Sequence, residues 1–268
     1  MKIDIETKKK YDTLTAWFSR QEKAVIAFSG GVDSTLLLYA AHAACGENAL
    51  AVTVLSPLLP QKERGEAEEF CKCRGIRQKT LSFDPFSVDG FSDNPKDRCY
   101  HCKKQIFTGI IAIANEEGIT CVCEGSNKDD LSDYRPGMRA IEEFSVKSPL
   151  LETGLSKAEI RSLSEYFGLP TFDKPSMACL ASRIPYGQEI TAEKLSMIDR
   201  AEAYLFEKGF SQCRVRHHGE IARIEVLSGE IPRLLSEDIR MDAEEKLKDL
   251  GFKYVTVDLQ GYRTGSLN

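Results

Sequence analysis

The chain has no apolar run near the ~20 residues that a membrane-spanning helix needs. Its opening, Met1-Lys2-Ile3-Asp4-Ile5-Glu6, is charged from the second residue and has no apolar leader core. A membrane partner and an export signal are not expected; a cytoplasmic setting is. A basic surplus is missing as well. With 36 Lys and Arg against 41 Asp and Glu, the formal net charge is -5, without the positive field that polyanion-binding proteins use, so nucleic acid is not an expected partner. The nine cysteines are an odd number without an export signal, which argues against a disulfide framework and leaves reduced thiols or metal ligands. Two common phosphate cradles are also absent. No stretch reads Gly-x-x-x-x-Gly-Lys-Ser/Thr, and none reads Gly-x-Gly-x-x-Gly. There is no internal repeat or low-complexity tract.

What is present is an ordinary globular composition, 42% hydrophobic and 29% charged over 268 residues, enough for two domains. The most informative stretch is Val25-Ile26-Ala27-Phe28-Ser29-Gly30-Gly31-Val32-Asp33-Ser34. An apolar strand enters a Ser-Gly-Gly turn, and Asp-Ser opens an amphipathic helix. The glycines allow positive φ and close approach of the backbone, and the N–H groups and dipole of the helix start favour an anion such as phosphate.

Along the chain, helix is expected over residues 6–19, 61–74 and 99–117, and strand over 49–55, 76–83 and 119–124. Strands alternating with helices imply an α/β fold, a parallel sheet with helices on both faces. Ligands in such sheets lie beyond the carboxyl ends of the strands. The loop Gly125-Ser126-Asn127-Lys128-Asp129-Asp130 and its continuation Asp133-Tyr134-Arg135-Pro136-Gly137 should therefore border the same cleft as the glycine turn, which makes Asn127 and Arg135 nucleotide-binding candidates. Ser156-Lys157-Ala158-Glu159 reads as a capping box. An irregular segment, 172–190, precedes helix 191–208, strands 212–217 and 221–227, helix 232–250 and strand 253–259. The domains are thus placed at 1–175 and 176–268, the second a small α+β domain for substrate binding or assembly.

Cys99 and Cys102 stand three positions apart at a helix start, with Lys103 and Lys104 beside them, as a ligand or redox pair. Cys179 lies in a loop at the domain junction. Three thiolates suit a [4Fe–4S] cluster with one open iron, or a zinc site completed by His101. Cys71 and Cys73 fall on opposite sides of a helix, Cys121 and Cys123 on one side of a strand, and Cys45 and Cys213 stand alone. Ordinary packing is expected for these six.

The Ser-Gly-Gly-Val-Asp-Ser loop resembles that of the ATP pyrophosphatases. Together with Asp-Tyr-Arg-Pro-Gly, the cysteine loop ending Ser182-Arg183-Ile184-Pro185-Tyr186-Gly187, and Arg214-Val215-Arg216-His217-His218, it resembles the LarE family, the ATP-dependent sulfur transferases of nickel-pincer nucleotide cofactor synthesis. The resemblance implies adenylation of a carboxylate of pyridinium-3,5-biscarboxylic acid mononucleotide, loss of pyrophosphate, and replacement of AMP by sulfur. It implies that Ser29, Gly30, Gly31 and Ser34 hold the pyrophosphate, that Asp33 binds Mg²⁺, and that Lys103 neutralises the leaving phosphate. Arg214 and Arg216 would clamp the substrate 5′-phosphate, with Ser182, Arg183, Glu202 and Glu225 around it. Some members sacrifice the sulfur of the residue matching Cys179; those lack the pair that Cys99 and Cys102 form here. The chain resembles the three-cysteine branch, with a [4Fe–4S] cluster on Cys99, Cys102 and Cys179. A small-molecule nucleotide substrate and a homo-oligomer are expected, and the immediate sulfur source stays open. The alternatives are zinc or no metal, sacrifice of Cys179, and a tRNA thiolase.

Overall fold

The strand that enters the glycine turn, β1 (Ala24–Ala27), is an interior strand of a parallel sheet with β2 (Ala49–Leu55), β3 (Arg77–Ser82) and β4 (Val122–Cys123), ordered β3-β2-β1-β4. Parallel neighbours need long crossovers, which α2 (Val32–Cys45), α3 (Gln61–Arg74) and α4 (Arg98–Glu116) supply. The two-residue alternation of a strand sends side chains to both faces. Val25, Leu50 and Val52 pack with Phe107, Ile110 and Ala114 of α4 and Ile141 of α5 (Met138–Glu143). Ala24, Ile26, Ala49 and Ala51 pack with α2, with Leu14 and Phe18 of α1 (Ile5–Gln21), with Ala67 and Phe70 of α3, and with Ile160 and Leu163 of α7 (Lys157–Tyr166). Burial on both faces is why these strands read as continuous apolar runs. The structure is a computed structural model describing residues 3–132, 137–175 and 178–263.

The regular part of β4 is two residues, shorter than the 119–124 expected. Its flanks still bond: Val25 N donates to Cys121 O at 2.8 Å and Glu124 N to Lys147 O at 2.9 Å. The segment after α5 carries Lys147 alongside Cys123, and α6 (Pro149–Glu152) follows. Both arms of the expected capping box form, Ser156 with Glu159. Glu159 also accepts from Lys10 Nζ at 2.6 Å, tying α7 to α1.

The chain divides into two units. The first is Met1–Ser56, Gln61–Val88 and Asp97–Ser176; the second is Pro57–Pro60, Asp89–Lys96 and Met177–Asn268. The two short contributions to the second unit are invisible in sequence spacing. Leu58 O accepts from Leu180 N at 2.9 Å, and the wholly buried Asn94 side chain donates to Ile184 O and Pro185 O at 3.2 and 2.8 Å. A 3₁₀ turn, Leu180–Arg183, lies within the segment expected to be irregular.

In the second unit, α8 (Ala192–Glu207) is capped by Thr191, and β5 (Cys213–His218), β6 (Ile221–Val226) and β7 (Tyr254–Val257) form a sheet, antiparallel between β5 and β6 and parallel between β6 and β7. Val215, Ile224 and Val226 pack with Leu205, Leu247 and Phe252. The single helix expected over 232–250 is two, α9 (Ile231–Leu234) and α10 (Glu237–Asp249). Ser236, with ψ 147, interrupts them, and Ser-Glu-Asp is itself a helix-start sequence.

The stability of α7 should divide into cap and core. Ile160→Ala removes a fully buried side chain and should cost about 2–5 kcal/mol, whereas Ser156→Ala should cost about 1 kcal/mol; urea unfolding of the two variants measures both.

Candidate active site

β1 ends in the turn that presents Ser29, Gly30 and Gly31. Gly30 takes φ +71, left-handed backbone that favours glycine. A side chain there would also press on Ala67 of α3 at 3.3 Å. Gly31, expected to share that freedom, instead has φ -81 and ψ 164 as the N-cap of α2; ordinary extended backbone suffices. No side chain caps α2. The serines brace the turn from inside: Ser29 Oγ lies 3.1 Å from Ser34 Oγ, Ser34 Oγ donates to Gly31 O at 3.1 Å, and Ser29 N donates to Ser34 Oγ at 3.3 Å. Such a helix start offers backbone N–H groups and a positive dipole end to an anion.

Asp33 sits in the first turn of α2, with Lys157 Nζ 2.5 Å from Oδ2 and Asn127 Nδ2 donating to Oδ1 at 3.3 Å. The loop after β4 is therefore brought to the glycine turn, as its position at a strand's carboxyl end implies. Gly125 makes this approach possible, since a Cβ there would lie 3.2 Å from Ser34 N and 3.3 Å from Asp33 Cβ. Glu124 anchors the same loop, accepting from Ser126 N at 3.0 Å, Ser126 Oγ at 2.9 Å and Ser148 Oγ at 2.6 Å. Lys174 Nζ donates to Gly30 O at 3.0 Å and pairs with Glu66 at 2.8 Å. Arg135 and its neighbours Asp133, Tyr134 and Pro136 lie outside the described residues.

Cys99, exposed, and Cys102, buried, occupy the first turns of α4. At about 100° per residue, positions three apart share a helix face. His101 does not share it, and its Nε2 lies 3.3 Å from Asp97 Oδ2. Lys103 runs beneath Gly137, where a Cβ would meet the Lys103 side chain at 2.6 Å. Cys179 belongs to the second unit. Among the described residues no group of three or more His, Cys, Asp or Glu side chains is gathered as a metal site.

The second unit buries a polar cluster. Arg183, with no exposed surface, donates from Nε and Nη2 to Glu202 at 2.9 and 2.8 Å, and from Nη1 to Ala178 O, Cys179 O and Ser182 Oγ at 2.5, 3.1 and 3.1 Å. Its whole fork is engaged in holding the cysteine loop. Burial opposes the charge of Glu202, but Arg183 outweighs it and holds the carboxyl below its ordinary range. Glu202 also accepts from Val215 N at 3.0 Å. Arg214 and Arg216 are 2% and 5% exposed, so this strand face is not simply solvated. Arg216 pairs with Glu225 at 2.9 Å and donates to Ser182 O at 3.1 Å; Arg223 takes the other Glu225 oxygen. Burial, with Arg183 nearby, lowers the pKa of Arg214.

No protein-family model matches the chain. The pyridinium-3,5-bisthiocarboxylic acid mononucleotide synthase of Lactiplantibacillus plantarum is 36% identical over 260 residues, 97% of this chain and 94% of that protein. The chain belongs to the LarE family. An uncharacterized protein of a Synechocystis strain is 40% identical over 259 residues, 97% of each chain. A glutamine-hydrolyzing GMP synthase component from Archaeoglobus fulgidus is 27% identical over 202 residues, 69% of this chain and 65% of that protein. The LarE-family chain thus has the fold of the ATP pyrophosphatases and is an ATP-dependent sulfurtransferase. Among the described residues no helix is long and apolar enough to cross a membrane.

Three residues at the LarE-family loop escaped the sequence reading. Lys157 had a signal, because a cation in the first turn of a helix opposes the dipole and implies another partner. Glu124 and Lys174 had none, since their partners are distant in sequence.

Burial lowers the pKa of His217 and His218, and His217 Nδ1 and His218 Nε2 have no hydrogen-bond partner among the described residues. The unfolded chain therefore binds protons that the fold refuses. Stability is full above about pH 6.5 and should fall as pH drops below it, with Glu202 adding a further loss below about pH 4.3. Urea midpoints should decline between about pH 7 and 5; a constant midpoint would contradict neutral buried imidazoles.

Proposed function

We propose that the chain adenylates a carboxylate of pyridinium-3,5-biscarboxylic acid mononucleotide and exchanges AMP for sulfur, giving a thiocarboxylate. The observation that carries this reading is the uncapped start of α2 behind left-handed Gly30, in a chain 36% identical to a pyridinium-3,5-bisthiocarboxylic acid mononucleotide synthase. A carboxylate oxygen attacks the α-phosphorus of ATP, the bond to pyrophosphate breaks, and the acyl adenylate then loses AMP to a sulfur nucleophile.

Ser29, Gly30, Gly31 and Ser34 hold the pyrophosphate in this scheme. Asp33 supplies the carboxylate that Mg²⁺ needs as a hard cation, and Asn127 and Arg135 border the nucleotide. Lys157, already on Asp33, joins Lys103 in offsetting charge on the departing phosphates. Lys174 fixes the Gly30 carbonyl. In the second unit, Arg214 and Arg216 face the substrate 5′-phosphate, with Glu225 orienting Arg216. Arg183 and Glu202 act one step back, by holding Ser182 and Cys179.

The thiols at the start of α4 fit a soft ligand by chemistry, because a helix start favours thiolate. A [4Fe–4S] cluster on Cys99, Cys102 and Cys179 would supply the sulfide that displaces AMP. His101, turned to Asp97, favours this over zinc bound by three cysteines and a histidine. Thiols kept reduced suit a cytoplasmic setting; none of the nine is in a disulfide.

Asp33→Asn should cut pyrophosphate release by about 10²–10³, and Lys157→Met should do so to a comparable degree. Normal turnover in Asp33→Asn would remove the loop from the mechanism. Cys99→Ala, Cys102→Ala and Cys179→Ala should each stop thiocarboxylate formation while ATP is still activated; loss in Cys179→Ala alone would identify sacrifice. Iron and sulfide analysis of anaerobically purified protein distinguishes cluster from zinc.

A further inference from the structure

β4 and its leading flank carry two thiols, Cys123 and Cys121, that the proposed reaction does not use. The strand alternation places Val122 in the apolar layer with α4, and Cys121 and Cys123 against the layer with α2. Their sulfurs stand 3.6 Å apart, Cys121 half-buried and Cys123 fully buried. A disulfide is a poor fit. Residues two apart on an extended strand are separated by roughly 6.6–7.2 Å, at or beyond the upper limit that a disulfide spans. Closing the bond would pull Cys121 out of its 2.8 Å bond with Val25 N. A shared ligand needs no such movement. With bonds of about 2.3 Å from each sulfur, an atom bridging this separation would subtend about 100°, close to tetrahedral.

We propose that Cys121 and Cys123 form a chelating dithiol site for a thiophilic centre, a trivalent arsenical or a d¹⁰ cation of the zinc group. Among the described residues no third His, Cys, Asp or Glu closes the site, so the remaining positions belong to groups that the centre brings. Cys121 is the more readily ionised of the two thiols. The hydrogen bond from Cys123, aided by the Lys147 charge, lowers the pKa of Cys121, while burial raises that of Cys123. Cys121 attacks first and Cys123 completes the chelate. Cys45, also close to Cys121, is raised by burial and donates to Phe18 O at 3.5 Å, which keeps it out of the reaction. With an organoarsenic(III) oxide, two As–S bonds form, the arsenic–oxygen bond breaks, and the oxide leaves as water with both thiol protons; arsenic stays trivalent. The site lies toward the amino end of β4, whereas the glycine turn follows the carboxyl end of the parallel β1.

Phenylarsine oxide added to the folded full-length protein, followed by alkylation of the remaining thiols, arsenical removal and trypsin, tests this. Cys121 and Cys123 share the tryptic peptide of residues 105–128 with no other cysteine, separate from Cys99 and Cys102. One equivalent should shield both thiols of that peptide, at roughly tenfold lower concentration than in urea-unfolded protein, because the fold preorganises the pair. Cys121→Ser, at a half-buried position, and Cys123→Ala should each abolish the shielding of the remaining thiol. Equal alkylation with and without the arsenical would overturn the proposal. So would equal shielding of folded and unfolded chains, or recovery of the peptide chiefly as an internal disulfide.

Discussion

The start of α2 has no side-chain cap, and much of the first unit serves to keep it that way. A Ser or Asp at the N-cap would satisfy a backbone donor and fill the space. Gly31 does neither, and the two serines of the loop bond to each other and to Gly31 O rather than to the first N–H groups of the helix. The donors of the helix start are left without a side-chain cap, while the Gly31 N–H is taken by Ser29 Oγ at 3.4 Å. Keeping those donors in place requires the strand, the left-handed Gly30 and the helix to stay in fixed relation. The buried layers on both faces of the sheet supply that rigidity.

Charge around the turn is balanced locally. Asp33 would repel an incoming phosphate, but Lys157 is in contact with it, and Lys174 meets the carboxylates of α3 from the other side. Each lysine is held by a carboxylate and so is already oriented when an anion arrives. The second unit uses the opposite arrangement, with charge buried and paired, Arg183 with Glu202 and Arg216 with Glu225. Removing either partner of the Arg183–Glu202 pair would leave an uncompensated ion, which costs about 3–5 kcal/mol. The pair therefore serves to fix the cysteine loop in one conformation.

The parallel sheet, the glycine loop and the capping box were legible because each rests on local chemistry: apolar runs, a Gly-Gly turn, and Ser and Glu three apart. The division of 232–250 into two helices was less legible, because the apolar period continues through Ser236 and masks the Ser-Glu-Asp helix start there. Buried ion pairs were legible as residues but not as pairs. Arg214 and Arg216 read as a pair on one strand face, but the Glu225 and Arg223 that stand opposite them in register did not, because register is not readable from one strand. The contacts of Lys174 and Glu124 depend on folds of the chain that no spacing encodes.

The second unit draws Pro57–Pro60 and Asp89–Lys96 from the middle of the first. A fragment beginning at residue 177 would therefore lack the Asn94 amide that secures Ile184 and Pro185, and the Leu58 carbonyl that receives Leu180. The two units are interleaved along the chain, so neither can be gained, lost or exchanged as a single block of sequence. The second unit can be completed only after the cysteine loop has been synthesised, and by then most of the ATP-binding half has been made.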